Sequence, residues 1–237
     1  MPPVLTQMRA IAGQWEAAAD QRSIFLTCYA MMTTNMLAGV ARHEFDDPDW
    51  VDHMVQLFAG YYFDALAAYD SDPAIAPQVW RLAHDTCREE DVWVIQKLLL
   101  GINAHINYDL VLTLDEMLGP EWAELPDERR AIRLRDYQKV NDIIARTVDA
   151  VQDEVLAKTS PIMRYVDLVL GPGDEFLLSR LLLRWRDRVW LYGVRLVEAE
   201  SLEQRETVIR EMEAAALRRA DAIRRADRPA AFRELFR

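Results

Sequence analysis

Along most of the chain, apolar residues recur at three- and four-residue spacing, in runs such as Val4 to Ala19, Ser23 to Arg42 and Trp50 to Tyr69. That period lines one face of an α-helix. No stretch alternates strictly between apolar and polar and ends in turn residues, so no strand hairpin is predicted. Asp47 before Pro48 and Ser160 before Pro161 each place an N-cap side chain ahead of a first-turn proline. Ser201 with Gln204 spells a capping box. Gly119-Pro120 and Gly171-Pro172-Gly173 act as stops. The pattern predicts helices over 4–19, 21–42, 48–70, 77–88, 90–118, 127–158, 161–170, 174–199 and 201–225. The expected fold is all-α, a single bundle of about eight or nine helices around a buried central helix, with 1–237 as one domain. Within it, 201–237 is a charged outer helix and tail, whose Val208, Met212, Ala216 and Ile223 form a thin apolar stripe. Such a stripe either lays a solvated helix on the bundle or serves as a dimer-forming arm, which leaves a homodimer open.

The predicted central helix carries the most information. Gly101 to Leu110 reads Gly-Ile-Asn-Ala-His-Ile-Asn-Tyr-Asp-Leu, preceded by Leu98, Leu99 and Leu100 and followed by Val111, Leu112 and Leu114. A helix apolar on every side is enclosed by its neighbours. Asn103, His105, Asn107 and Asp109 therefore need partners, because a buried polar group left unsatisfied costs about 1–3 kcal/mol. His105 and Asp109 lie one turn apart on one face, and Asn103 and Asn107 one turn apart on nearly the opposite face. An imidazole beside a buried carboxylate is a pair whose pKa values shift into a useful range. The structural alternative is that the asparagines buttress neighbouring helices and Asp109 meets a buried arginine.

Charge and composition narrow the partners. The chain has 39 acidic and 28 basic residues among 237, a formal net charge of -11. A nucleic-acid partner needs a basic stripe, so none is expected, and the same sign disfavours anionic membrane surfaces. Val92 to Leu114 is interrupted by Gln96, Lys97, Asn103, His105, Asn107 and Asp109, so it is expected to be a buried helix rather than a bilayer span. The N-terminus has no basic start followed by an apolar run, and the expected location is cytoplasmic. Cys28 and Cys87 are the two cysteines, which exclude a disulfide framework. With four histidines at unrelated spacings, no metal site and no cofactor are expected. No Glu-x-x-His, His-Glu-x-x-His, Gly-rich phosphate loop or Gly-x-Ser-x-Gly elbow occurs. Asp46-Asp47-Pro48-Asp49 resembles the aspartate-rich motif of helical terpene synthases superficially, but its place at a helix start is explained by capping.

Further candidates come from helical spacing. His53, Leu57, Gly60 and Asp64 share a face of the third predicted helix, and Asp64, beside Tyr62 and Phe63, is preferred over His53 as a functional group. Gly60 in mid-helix would let a backbone or ligand approach. Asp136 and Asn141 point about 140° apart on the sixth helix. On the eighth, Arg180, Arg184 and Arg188 ascend in four-residue steps, and Arg188, near Trp190, is a candidate partner for Asp109 or Asp136.

The Gly101–Leu110 stretch resembles the signature of an uncharacterised bacterial all-helical family, Gly-x-Asn-Ala-His-Ile-Asn-x-Asp-Leu. Weaker echoes are Phe58 to Leu66 after Trp50, Trp80 to Ala83, Asp136-Tyr137-x-x-Val-Asn141 and Arg188-x-Trp190. More faintly, the chain is similar to spiroketal-forming cyclases of actinobacterial polyketide pathways. That resemblance implies cofactor-independent, acid/base-catalysed ring closure of an apolar small-molecule substrate. The expected catalytic residues are Asp109, oriented by His105, and Asp64, with Asp136 in reserve. Tyr62, Asn103, Asn107, Arg188 and Trp190 are the expected substrate-binding set. Two alternatives stand beside this: a metal-dependent hydrolase or oxygenase using His105 and Asp109, and a non-catalytic helical binding or scaffold protein.

Overall fold

The structure, a computed structural model, describes residues 2–155 and 174–226. These residues form an all-α bundle of eight helices, with no strand among them. The first four are α1 (Pro3–Ala17), α2 (Ser23–Ala41), α3 (Pro48–Ser71) and α4 (Gln78–Cys87). A central helix then runs unbroken through α5 (Val94–Ala104), a π-helical turn (His105–Asp109) and α6 (Leu110–Leu118). After it come α7 (Asp127–Val155), α8 (Asp174–Val197) and α9 (Leu202–Arg225). The helix expected over 161–170 and the tail beyond 226 lie outside the described residues.

Local chemistry sets the helix starts. Asp47 accepts a 3.2 Å hydrogen bond from the Trp50 amide, and Pro48 takes the first helical position of α3. Ser201 accepts from the Gln204 amide at the start of α9. The central helix begins at Val94 rather than at 90, because Trp93 is extended and its amide is capped by the Gln96 side chain at 3.0 Å.

The central helix is enclosed. α2, α3, α4, α8 and α9 all pack on it, and the π turn itself meets α3, α8 and α9. Two glycines permit the closest approaches. A Cβ on Gly101 would lie 2.6 Å from the Phe25 ring of α2, and one on Gly193 of α8 would lie 2.9 Å from Leu114. The apolar stripe of α9 faces inward, burying Val208, Met212, Ala215, Ala216, Ala220 and Ile223. That stripe is covered by the chain's own bundle. Gln96 ties down the end of α9, its amide lying 2.9 Å from the Ile223 carbonyl and 3.0 Å from that of Arg224.

Among the described residues, α2 is the one helix long and apolar enough, by length and composition, to cross a membrane. A core helix passes the same test, and α1, α3, α5 and α7 all meet on α2. The apolar run singled out in the sequence, Val92 to Leu114, belongs instead to the enclosed central helix.

Candidate active site around His105 and Asp109

The π turn is where the central helix changes its hydrogen bonding. The Leu110 amide donates to the His105 carbonyl, five residues back rather than four. Residues four apart still face the same side of this wider turn. His105 Nδ1 and Asp109 Oδ2 are 2.9 Å apart. From α4, the Trp80 indole N–H reaches both Asp109 oxygens at 3.0 Å. Asp109 thus meets an indole, not the arginine that a structural role was expected to supply.

His105 is 3% exposed and Asp109 1%. Burial holds the Asp109 carboxyl well above the usual carboxylate range, only partly opposed by the Trp80 hydrogen bond, and holds His105 well below the usual imidazole range. Both directions favour the uncharged pair, in which a protonated Asp109 donates to Nδ1 and the His105 hydrogen sits on Nε2. Among the described residues, His105 Nε2 has no hydrogen-bond partner.

Aromatic rings surround the imidazole. Phe58 stacks on it face to face, with centroids 3.6 Å apart and planes 8° from parallel. Tyr29 meets it edge-on at 4.2 Å, Phe25 at 5.7 Å and Tyr62 at 6.1 Å. Trp80 lies at 6.2 Å. The Tyr62 hydroxyl, fully buried, also lacks a partner among the described residues, and burial raises the pKa values of Tyr29 and Tyr62 above the ordinary phenol range.

The second polar ladder has its own neighbour. Asn107 donates to Asn103 Oδ1 at 3.1 Å, and Asn103 donates to the Ala216 carbonyl of α9 at 3.0 Å. The asparagines therefore join the central helix to α9 rather than lining the surroundings of His105.

Of the residues expected at the site, the structure brings together His105, Asp109 and Tyr62. Asp64 and His53 are exposed on α3, because the face carrying Tyr62, Ala65 and Leu66 is the one turned inward. Gly60 admits no neighbour, since nothing lies within 4 Å of a Cβ placed there. Asp136 is fully buried but spent on structure, accepting the amides of Asp46 and Asp47 at 2.7 Å each. Arg188 is exposed. The buried arginine of that helix is Arg186, which donates to Asn141 at 2.8 Å and to the Tyr137 carbonyl at 2.6 Å. Trp190 is half-buried against Trp122 and Tyr137, at centroid distances of 6.2 and 5.1 Å. Phe25, Tyr29, Phe58 and Trp80 were not among the candidates. A signal for them was present: Phe25/Tyr29, Phe58/Tyr62, Trp80/His84 and His105/Asp109 are all pairs one turn apart, on four helices that meet.

No three His, Cys, Asp or Glu side chains gather in a metal-binding arrangement among the described residues. Within the pair, Nδ1 and Oδ2 are committed to each other.

The chain belongs to a family described as of unknown function, DUF5995, which matches residues 1–226. That places it in an uncharacterised family, and the description carries no chemistry. No curated protein and no solved structure matches the chain.

Proposed function

We propose that the chain is a cofactor-independent acid/base catalyst acting on a neutral, largely apolar small molecule, with His105 and Asp109 as its proton relay. The observation that carries this is His105 Nε2, an enclosed polar atom without a partner among the described residues, on a ring whose other nitrogen is held by a carboxyl group. Oriented imidazoles of this kind serve as proton donors and acceptors. A substrate carbonyl oxygen accepts the Nε2 hydrogen. As it takes that proton, the Asp109 proton moves to Nδ1, and the carboxylate left behind is held by the Trp80 N–H. A hydroxyl of the same molecule attacks the activated carbon, and its proton returns to the pair. The sum is ring closure to a hemiketal, with no change of oxidation state. A second closure that expels water from the hemiketal carbon gives a spiroketal. For that last specificity the support is the sequence resemblance alone.

The test is an open-chain dihydroxyketone incubated with purified protein and followed by NMR. The expected result is accelerated ring closure that is lost in Asp109→Asn and His105→Phe, with helical circular dichroism unchanged. Full acceleration by the Asp109→Asn protein overturns the assignment.

One observation favours the scaffold reading instead: rings pack against the imidazole on several sides, as in an ordinary core. On that reading no hydroxyketone is turned over, and the two substitutions change stability only.

A further inference from the structure

Four of the five rings around His105 are locked inside the bundle: Phe25 and Tyr29 are 7% exposed, Trp80 1% and Tyr62 0%. Phe58 alone is partly exposed, at the edge of the core. It is also the ring that covers a full face of the imidazole. Trp80 is anchored by its N–H on Asp109, whereas a phenylalanine side chain has no polar atom to detach when it swings away.

We infer that Phe58 is a displaceable plug, and that the ligand of this site is a neutral, ring-sized molecule with one carbonyl oxygen, which fills the Phe58 volume and accepts from His105 Nε2. The inference rests on the reading of His105 and Asp109 as an uncharged donor pair. Because Phe58 is the partly exposed ring and covers one face of the imidazole, moving it would uncover that face and leave the more deeply buried rings in place. The chemistry of the opened space then selects the ligand. Its walls are Phe25, Tyr29, Tyr62 and Trp80, with no ion within them to balance a charged ligand, so a charge carried in would be desolvated without a counterion. The unsatisfied Nε2–H calls for an acceptor, and a hydrocarbon or a protonated amine cannot supply one as a ketone oxygen does. An apolar body with a single well-placed acceptor is what such a slot discriminates best.

The test uses acetophenone and its hydrocarbon isostere, isopropenylbenzene, in which a methylene replaces the carbonyl oxygen. Binding to wild type and to Phe58→Ala is measured by calorimetry and by the indole N–H resonance of Trp80. Phe58→Ala should bind acetophenone at least about tenfold more tightly than wild type, which must first displace its own ring, and should prefer it to the isostere by about tenfold. Adding His105→Phe should abolish the preference while leaving the binding, whereas Asp109→Asn, whose amide donates to Nδ1 in place of the acid, should keep it. If neither compound binds the folded Phe58→Ala protein more tightly than wild type, the plug is overturned, whatever the pair does. If both bind equally well, the plug stands and the donor pair, with the ligand class drawn from it, falls. Phe58→Val with butanone and 2-methylbut-1-ene repeats the comparison in a smaller hollow should the alanine protein fail to fold, and the same outcomes decide it.

Discussion

The indole nitrogen of Trp80 lies 3.0 Å from each carboxyl oxygen of Asp109, so one N–H from α4 spans both acceptors of the central helix's buried acid. That hydrogen bond opposes burial by favouring the carboxylate. Trp80→Phe keeps an aromatic body in place and removes that donor. The expected cost is about 1–3 kcal/mol in urea denaturation. The proton on Asp109 should also persist to higher pH, read from the Asp109 carboxyl carbon by NMR. An unchanged carboxyl titration would show that the indole does not act on the acid.

The pair makes stability depend on pH with a definite sign. Asp109 is raised above its unfolded value of 3.8, so its contribution is whole below that pH and is lost as pH climbs toward the folded-state value. Compared with Asp109→Asn, the wild type should lose up to about 1.4 kcal/mol per pH unit above pH 4. His105 runs the other way. It is lowered from 6.5, so its contribution is whole above 6.5 and is lost as pH falls. Between the two unfolded values the slopes cancel, and the wild-type pair should show a plateau there. Urea midpoints across a pH series check both statements.

His84 gives a simpler case. It is stacked on Trp80 and pushed down to about 4 by burial, from an unfolded value of 6.5. Its contribution is complete above pH 6.5 and disappears as pH falls toward about 4. His84→Phe should therefore flatten the acid side, with wild type losing roughly 3 kcal/mol relative to the variant across that window. Equal acid sensitivity of the two proteins would contradict this.

Asp136 separates structure from chemistry. Its two amide bonds hold the α2–α3 loop onto α7. Asp136→Asn should cost about 2–3 kcal/mol in stability. The Trp80 indole resonance should stay where it is, because none of the contacts of Asp136 reaches the ring cluster. Loss of ring-closing activity in a folded Asp136→Asn protein would return Asp136 to the list of acids.

Two glycine substitutions should move in opposite directions. Gly101→Ala drives a methyl group into Phe25 and should cost about 1–3 kcal/mol. Gly60→Ala meets nothing within 4 Å and should gain about 0.5–1 kcal/mol from helix propensity alone. Thermal unfolding of the two variants is the measurement.

The all-α bundle was legible because helical period, caps and stops agree along the chain, and most helix ends fall within a few residues of their expected places. His105 and Asp109 were legible for the same reason: polar residues inside an apolar helix need partners. What periodicity could not supply is which face of each other helix meets that pair. Asp64 and Tyr62 are two residues apart on α3, and the turn of that helix sends one to solvent and the other to the core. Arg188 and Arg186 exchange places on α8 by the same rule. Asp136 was legible as important, but the loop amides that occupy it come from residues ninety positions away.

The π turn has a consequence for how the central helix can vary. Relative to a regular helix it carries one residue too many, and each residue turns an α-helix by about 100°. Five residues of π-helix turn the chain about as far as four of α-helix, so the extra residue is absorbed where it sits. Leu114 meets Gly193 of α8 beyond the turn, and Gly101 meets Phe25 of α2 before it. Removing a single residue between 105 and 109 would therefore restore an ordinary helix, leave α6 facing α8, and set the acid three residues from the imidazole instead of four. A loss that the bundle hardly registers would fall almost wholly on the pair.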